Sequence, residues 1–139
     1  MNLSLREMSI DDYPEVYALW EKTEGIGLSD TDSKENIAQF LHHNPGTSFV
    51  TYDSDLLVGA VLCGNDGRRG YIHHLAVADT HRHQGVGRQL VGSCLKKLGE
   101  INIHKCHLFV FAYNPGAIEF WEKIGWEQRG ELLLMSKFT

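Results

Sequence analysis

The feature that most constrains this 139-residue chain is a change of period near its middle. Tyr71 to Val77 is a run of residues suited to a half-buried strand. From Val86 onward, Leu90, Val91, Cys94, Leu95 and Leu98 fall on one face of a helix that begins near Gly85 and ends by Gly99. Ile103 to Phe111 is apolar and extended again. A strand, a helix and a strand in that order call for a right-handed parallel crossover in a sheet covered by helices. The chemistry is expected where the first strand turns into the helix.

The elements around this unit complete a mixed α/β (α+β) class. Leu3 to Met8 alternates as a strand, and Asp11-Asp12 before Tyr13-Pro14 opens a helix running to about Thr23, with Val16, Leu19 and Trp20 on one face. Gly25-Ile26-Gly27 ends it. Asp32-Ser33-Lys34-Glu35 resembles a capping box and starts a second helix that ends near His43. Ser48 to Tyr52 and Leu56 to Leu62 form a hairpin, and a second turn at Asn65 to Gly70 leads into the strand at Tyr71. After Phe111, Asn114-Pro115 supply an N-cap and first helical residue for a helix stopped by Gly125. Two short strands, Trp126 to Arg129 and Leu132 to Phe138, are predicted to finish the chain. There is no linker or repeat, so residues 1–139 read as a single domain.

Formal net charge is −5 and no run of Lys or Arg forms a phosphate-tracking stripe, which argues against nucleic acid and suits a cationic substrate. No stretch of 18 apolar residues occurs and the first ten residues lack the apolar core of a signal peptide, so no membrane partner is expected and the cytoplasm is the default. Cys63, Cys94 and Cys106 form an odd set without CxxC spacing, as buried thiols in a reducing compartment do. His81 with His83, and His104, Cys106 and His107, lack partners for a tetrahedral set, so no metal is expected.

Arg82-His83-Gln84-Gly85-Val86-Gly87 lies between strand and helix, where unpaired backbone N–H groups and the helix dipole favour an anion such as a pyrophosphate. Gly85 and Gly87 leave room for a close ligand, and Arg82 and Arg88 add charge. The same residues also suit a tight turn with helix packing through Gly87. A P-loop would need Lys-Ser/Thr where Arg88-Gln89 stand, and a dinucleotide fold would need a third glycine.

In this context the hexapeptide resembles the Q/R-x-x-G-x-G/A cofactor motif of the GCN5-related N-acetyltransferase (GNAT) family. Asn114-Pro115-Gly116-Ala117-Ile118-Glu119-Phe120-Trp121-Glu122-Lys123-Ile124-Gly125-Trp126, beginning 27 residues after Gly87, is similar to that family's N-x-x-A-x-x-F-Y-E-K-x-G-F signature. Short length, Leu19-Trp20-Glu21 and Asp66 to Gly70 are similar to small bacterial acetyltransferases of the YpeA-like kind. The resemblance implies a mixed, mostly antiparallel twisted sheet of about seven strands with four helices, splayed between strands 4 and 5. It implies acetyl-CoA as acetyl donor, with backbone groups of His83 to Arg88 on the pyrophosphate, Leu75, Ala76 and Val77 paired to the pantetheine arm, and Asn114 contacting the arm. A backbone N–H near Leu75 would stabilise the oxyanion.

The acceptor would be a primary amine of a small molecule or peptide, acted on by a monomer or homodimer. A lysine-like amine has a pKa of about 10.4, so a base must take its proton. His73 is the candidate, standing where the resemblance to arylalkylamine acetyltransferases places a histidine, with His74 expected on the opposite face of the sheet. A strand bulge would reverse that parity. Trp121 replaces the tyrosine that ordinarily protonates the thiolate, leaving Tyr113, Tyr71 or water in that role. Asp30 and Asp32, in the loop before the second helix, are candidates for attracting the ammonium. The Trp121 departure motivates one alternative, a module that binds acetyl-CoA with little or no turnover.

Overall fold

The computed structural model describes residues 1–139, in two compact units, Met1–Phe109 and Val110–Thr139. In the first unit the strands are β1 (Leu3–Glu7), β2 (Phe49–Asp53), β3 (Leu56–Asn65), β4 (Gly70–Val77) and β5 (Cys106–Leu108). The helices are α1 (Tyr13–Glu21), α2 (Lys34–His43) and α3 (Val86–Glu100), with short 3₁₀ turns at Ile10–Asp12, Asp30–Asp32 and Asp79–His81. The second unit contains α4 (Pro115–Lys123).

The sheet runs β1-β2-β3-β4-β5, antiparallel through β4 and parallel between β4 and β5. The α3 connection therefore joins parallel neighbours, as the change of period requires. Four α-helices are present and the sheet is mixed, but it has five strands where about seven were expected. Trp126 to Arg129 and Leu132 to Phe138 form no ladder. Neither alternates: Glu127-Gln128-Arg129 are three polar residues in a row and Leu132 to Met135 four apolar ones, so nothing selects an inward face or a register. The expected strand from Ile103 to Phe111 is likewise reduced to the three residues that pair with Gly70–Ile72.

Two apolar layers sandwich the sheet. On one side α1 and α2 deliver Val16, Leu19, Trp20 and Ile37 onto Val50, Leu57, Ala60, Leu62 and Ala76. On the other, α3 buries Val86, Leu90, Val91, Cys94 and Leu98, each fully buried aliphatic side chain contributing about 1.5–3 kcal/mol. Gly59 permits the close seating of α3, since a Cβ there would stand 2.9 Å from Val86 Cγ1 and 3.0 Å from Leu90 Cδ1.

The caps follow local chemistry. Ser33 accepts the Asn36 N–H and starts α2, while the capping box forms one turn earlier, between Ser29 and Asp32. The Asp11-Asp12 helix start also serves tertiary structure: Asp12 accepts from Arg6 at 2.6 Å, Ser9 N–H at 2.9 Å and the Tyr52 hydroxyl at 2.8 Å. Burial alone would raise the Asp12 pKa, but these donors outweigh it and leave it below 3.8.

Candidate active site

The glycine-containing turn forms where the short Asp79–His81 turn meets α3. Gly85, at φ +84°, and His83, at φ +62°, take left-handed conformations, reversing the chain so that α3 begins at Val86. Gln89 N–H is the first amide to bond back, to the Gly85 carbonyl at 3.0 Å. The N–H groups from His83 to Arg88 donate to no acceptor within the chain, leaving a row of donors at a helix N-terminus. Val86 and Gly87 are buried against the sheet, while Gln84, Gly85 and Arg88 are exposed. Arg82 pairs with Asp79 at 3.0 Å and donates to the Val77 carbonyl at 3.2 Å. With Leu19, Lys22 and Leu56, Val77 and Arg82 also border a cavity of about 400 Å³.

Beneath the turn, buried His81 bonds through Nε2 to Asp53 at 2.7 Å and through Nδ1 to the Thr80 hydroxyl at 2.7 Å. Asp53 also accepts the Asn2 N–H at 2.9 Å. The bond from His81, and then that from Asn2, holds the Asp53 carboxyl below the ordinary range. This tether fixes the turn to the β2–β3 hairpin. Sequence reasoning missed it because 28 residues separate the partners and neither sits in a recognisable pattern.

Strand β4 leads into this turn, and β5 pairs with only part of its edge. Its pairing with β5 ends at Ile72, so His73 to Val77, including Leu75 and Ala76, form no ladder on the β5 side. On the β3 side the register jumps from Leu62↔His73 to Ala60↔Ala76, which leaves His74 and Leu75 in a bulge. His74 has φ +50°, and its carbonyl accepts from Trp20 Nε1 at 3.1 Å.

The bulge corrects the expected parity of the two histidines. His73 packs edge-on to Phe40 of α2, centroids 6.0 Å apart, and His74 edge-on to Trp20 of α1 at 5.0 Å, so both lie on the α1–α2 face. The His73 imidazole makes no hydrogen bond within the chain. Burial, reinforced by the nearby His74 and opposed by Asp32, moves its pKa below 6.5 and favours the neutral imidazole. His74 Nε2 bonds Asp32 Oδ1 at 2.8 Å.

Asp32 is buried, with its second oxygen on the Ser29 N–H at 3.0 Å and its carbonyl on the Tyr13 hydroxyl at 2.6 Å. Its carboxylate thus ties the α1–α2 loop to the bulge. Asp30 is exposed, and its carbonyl accepts from Asn36 Nδ2 at 2.8 Å.

In the second unit Tyr113 stacks on Phe111 at 5.0 Å. Asn114 caps α4 by accepting the Ala117 N–H at 3.1 Å. Trp121 lies edge-on between Phe120 and Trp126, at 5.1 and 5.2 Å, a packing arrangement. No cysteine is an activated nucleophile: Cys63 and Cys94 are buried, and contact with Cys63 together with burial pushes the Cys106 thiol above its ordinary pKa. No group of three or more His, Cys, Asp or Glu is arranged to hold a metal, and no helix is long and apolar enough to cross a membrane.

The sequence model of the acetyltransferase (GNAT) family matches residues 6–126. The chain belongs to this family. An acetyltransferase of Sodalis glossinidius is 30% identical to this GNAT protein over 97% of its length and 94% of the relative's. The fold is similar to Ard1 from Thermoplasma volcanium, with a TM-score of 0.79 and 24% identity over 90% of this chain and 82% of that one. It is also similar to the PaiA N-acetyltransferase of Thermoplasma acidophilum, solved with coenzyme A, with a TM-score of 0.79 and 18% identity over 91% of each chain. The GNAT chain is an acetyl-CoA-dependent acyltransferase.

Proposed function

We propose that the protein moves the acetyl group of acetyl-CoA to a primary amine by direct attack in a ternary complex. The observation that carries this reading is the succession of two backbone features: the free N–H groups from His83 to Arg88 and the stretch of β4 from His73 to Val77 that β5 leaves unpaired. The first suits a pyrophosphate, with Arg82 and Arg88 adding charge. The second, at Leu75, Ala76 and Val77, suits the amides of a pantetheine arm, which Asn114 would also contact.

Acetyl-CoA supplies the acetyl thioester. His73, held neutral by burial, takes the proton the ammonium must lose; the amine nitrogen then bonds to the acetyl carbon as the carbon–sulfur bond breaks. A backbone N–H near Leu75 steadies the negative charge gathering on the carbonyl oxygen, and Tyr113 or water protonates the departing thiolate. The shortage of a dedicated acid is tolerable because a thiol has a pKa of only about 8.5. Asp30, exposed at the start of its turn, attracts the incoming ammonium.

Free-thiol release at saturating acetyl-CoA, measured with amines, polyamines, amino acids and peptide N-termini, tests this. Release that depends on at least one amine class is expected. Saturable acetyl-CoA binding with no amine-dependent release from any class would overturn the transfer and leave a binding module.

A further inference from the structure

The α2-side face of β4 and β5 carries a feature that proton transfer alone does not use. The residues His73 and Tyr71 are two apart before the bulge, so both point to this face. Tyr71 lies opposite Gly64, where a Cβ would meet the end of the Phe40 ring at 2.9 Å; a glycine there is what lets the Phe40 ring lie over the strand. Across the sheet Tyr71 pairs with His107, centroids 5.8 Å apart, and stacks on Phe109 at 6.5 Å with only 12° between the ring planes. The result is a lane of five rings leading away from His73: Phe40, His73, Tyr71, His107 and Phe109. Four are half-buried, Phe109 is exposed, and the lane is accessible along its length.

We propose that this lane is the wall of the acceptor site, and that it selects a monoamine carrying an aromatic body over a polycation. The inference rests on the transfer reaction proposed above. Two features of charge decide it. First, Asp32, the carboxylate nearest the two histidines, already has both oxygens engaged, by His74 and by the Ser29 N–H. Second, the side chains of Phe40, His73, Tyr71, His107 and Phe109 make ring contacts and no hydrogen bond or ion pair. A polyamine or aminoglycoside would lay its second and third ammonium groups along rings and imidazoles, with no carboxylate within the lane itself to pair with them and offset their desolvation.

A single ammonium meets no such penalty, because it is the group that His73 deprotonates. An aromatic body behind it would bury its faces against Tyr71 and Phe109 in offset or edge-on contacts, each worth about 0.5–1.5 kcal/mol beyond the area covered. Ring spacing of 5.8 to 6.5 Å in the lane is the spacing at which such contacts form.

The test compares kcat/KM for 2-phenylethylamine, butylamine, spermidine and kanamycin at saturating acetyl-CoA, in the wild type, Tyr71→Ala and Tyr71→Phe. The aromatic amine is expected to lead spermidine and kanamycin by at least about tenfold. Tyr71→Ala is expected to raise KM for 2-phenylethylamine about tenfold while calorimetric acetyl-CoA binding stays unchanged, and Tyr71→Phe, which keeps the ring, to restore it. A lead for either polycation, or a Tyr71→Ala loss equal for all four amines, would overturn the proposal and leave amine acetylation standing. Absence of release with every amine would overturn both.

Discussion

His73 carries the sharpest single-residue expectation. Its folded pKa is depressed by burial first and by the charge of His74 second, so the imidazole stays unprotonated to lower pH than a free histidine would. The acid limb of kcat is therefore expected below pH 6.5, with activity present above the depressed pKa and lost as pH falls through it. His73→Ala should lower kcat by about 10²–10⁴-fold and abolish that limb; an unchanged rate across pH 6 to 9 would remove His73 from the mechanism. His73 was legible in the sequence as a candidate, but its surroundings were not. Parity along β4 depends on the bulge, and the bulge is set by the register of β3 against β4, a pairing between segments that local alternation does not encode. The engagement of Asp32 by His74, across 42 residues, was hidden for the same reason.

Among the elements, α3 does most to place the proposed cofactor site, and its position depends on Gly59. A methyl group there meets Val86 Cγ1, the end of a short β-branched side chain with little freedom to move, at 2.9 Å. Gly59→Ala is expected to lift the first turn of α3 from the sheet, destabilise the fold by about 1–3 kcal/mol and weaken acetyl-CoA binding at the same time. Denaturant unfolding with a parallel binding titration checks both; unchanged affinity beside lost stability would show that the turn holds its shape independently of the packing. The helix itself was readable from its apolar stripe, as α4 was from Asn114 and Pro115, because caps and 3.6-residue spacing are local. The predicted strands beyond Gly125 were inferred from hydrophobicity without alternation, and hydrophobicity alone supplies neither face nor partner.

For the whole molecule, the proposed acetyl-CoA site is built from backbone more than from side chains: the free N–H groups of the turn and the unpaired stretch of β4. This is why a glycine-rich turn was ambiguous until the strand before it and the motif after it were considered together. Family membership fixes the donor, while the acceptor is assigned by proposal to the side chains around His73. Calorimetric titration of acetyl-CoA into the wild type and Gly87→Glu, a substitution that adds bulk and negative charge to the first turn of α3, tests the assignment of that turn most directly. Saturable binding by the wild type and its loss in a Gly87→Glu protein that still unfolds cooperatively is the expected result. No saturable binding by the wild type, or the same affinity in both proteins, would contradict it.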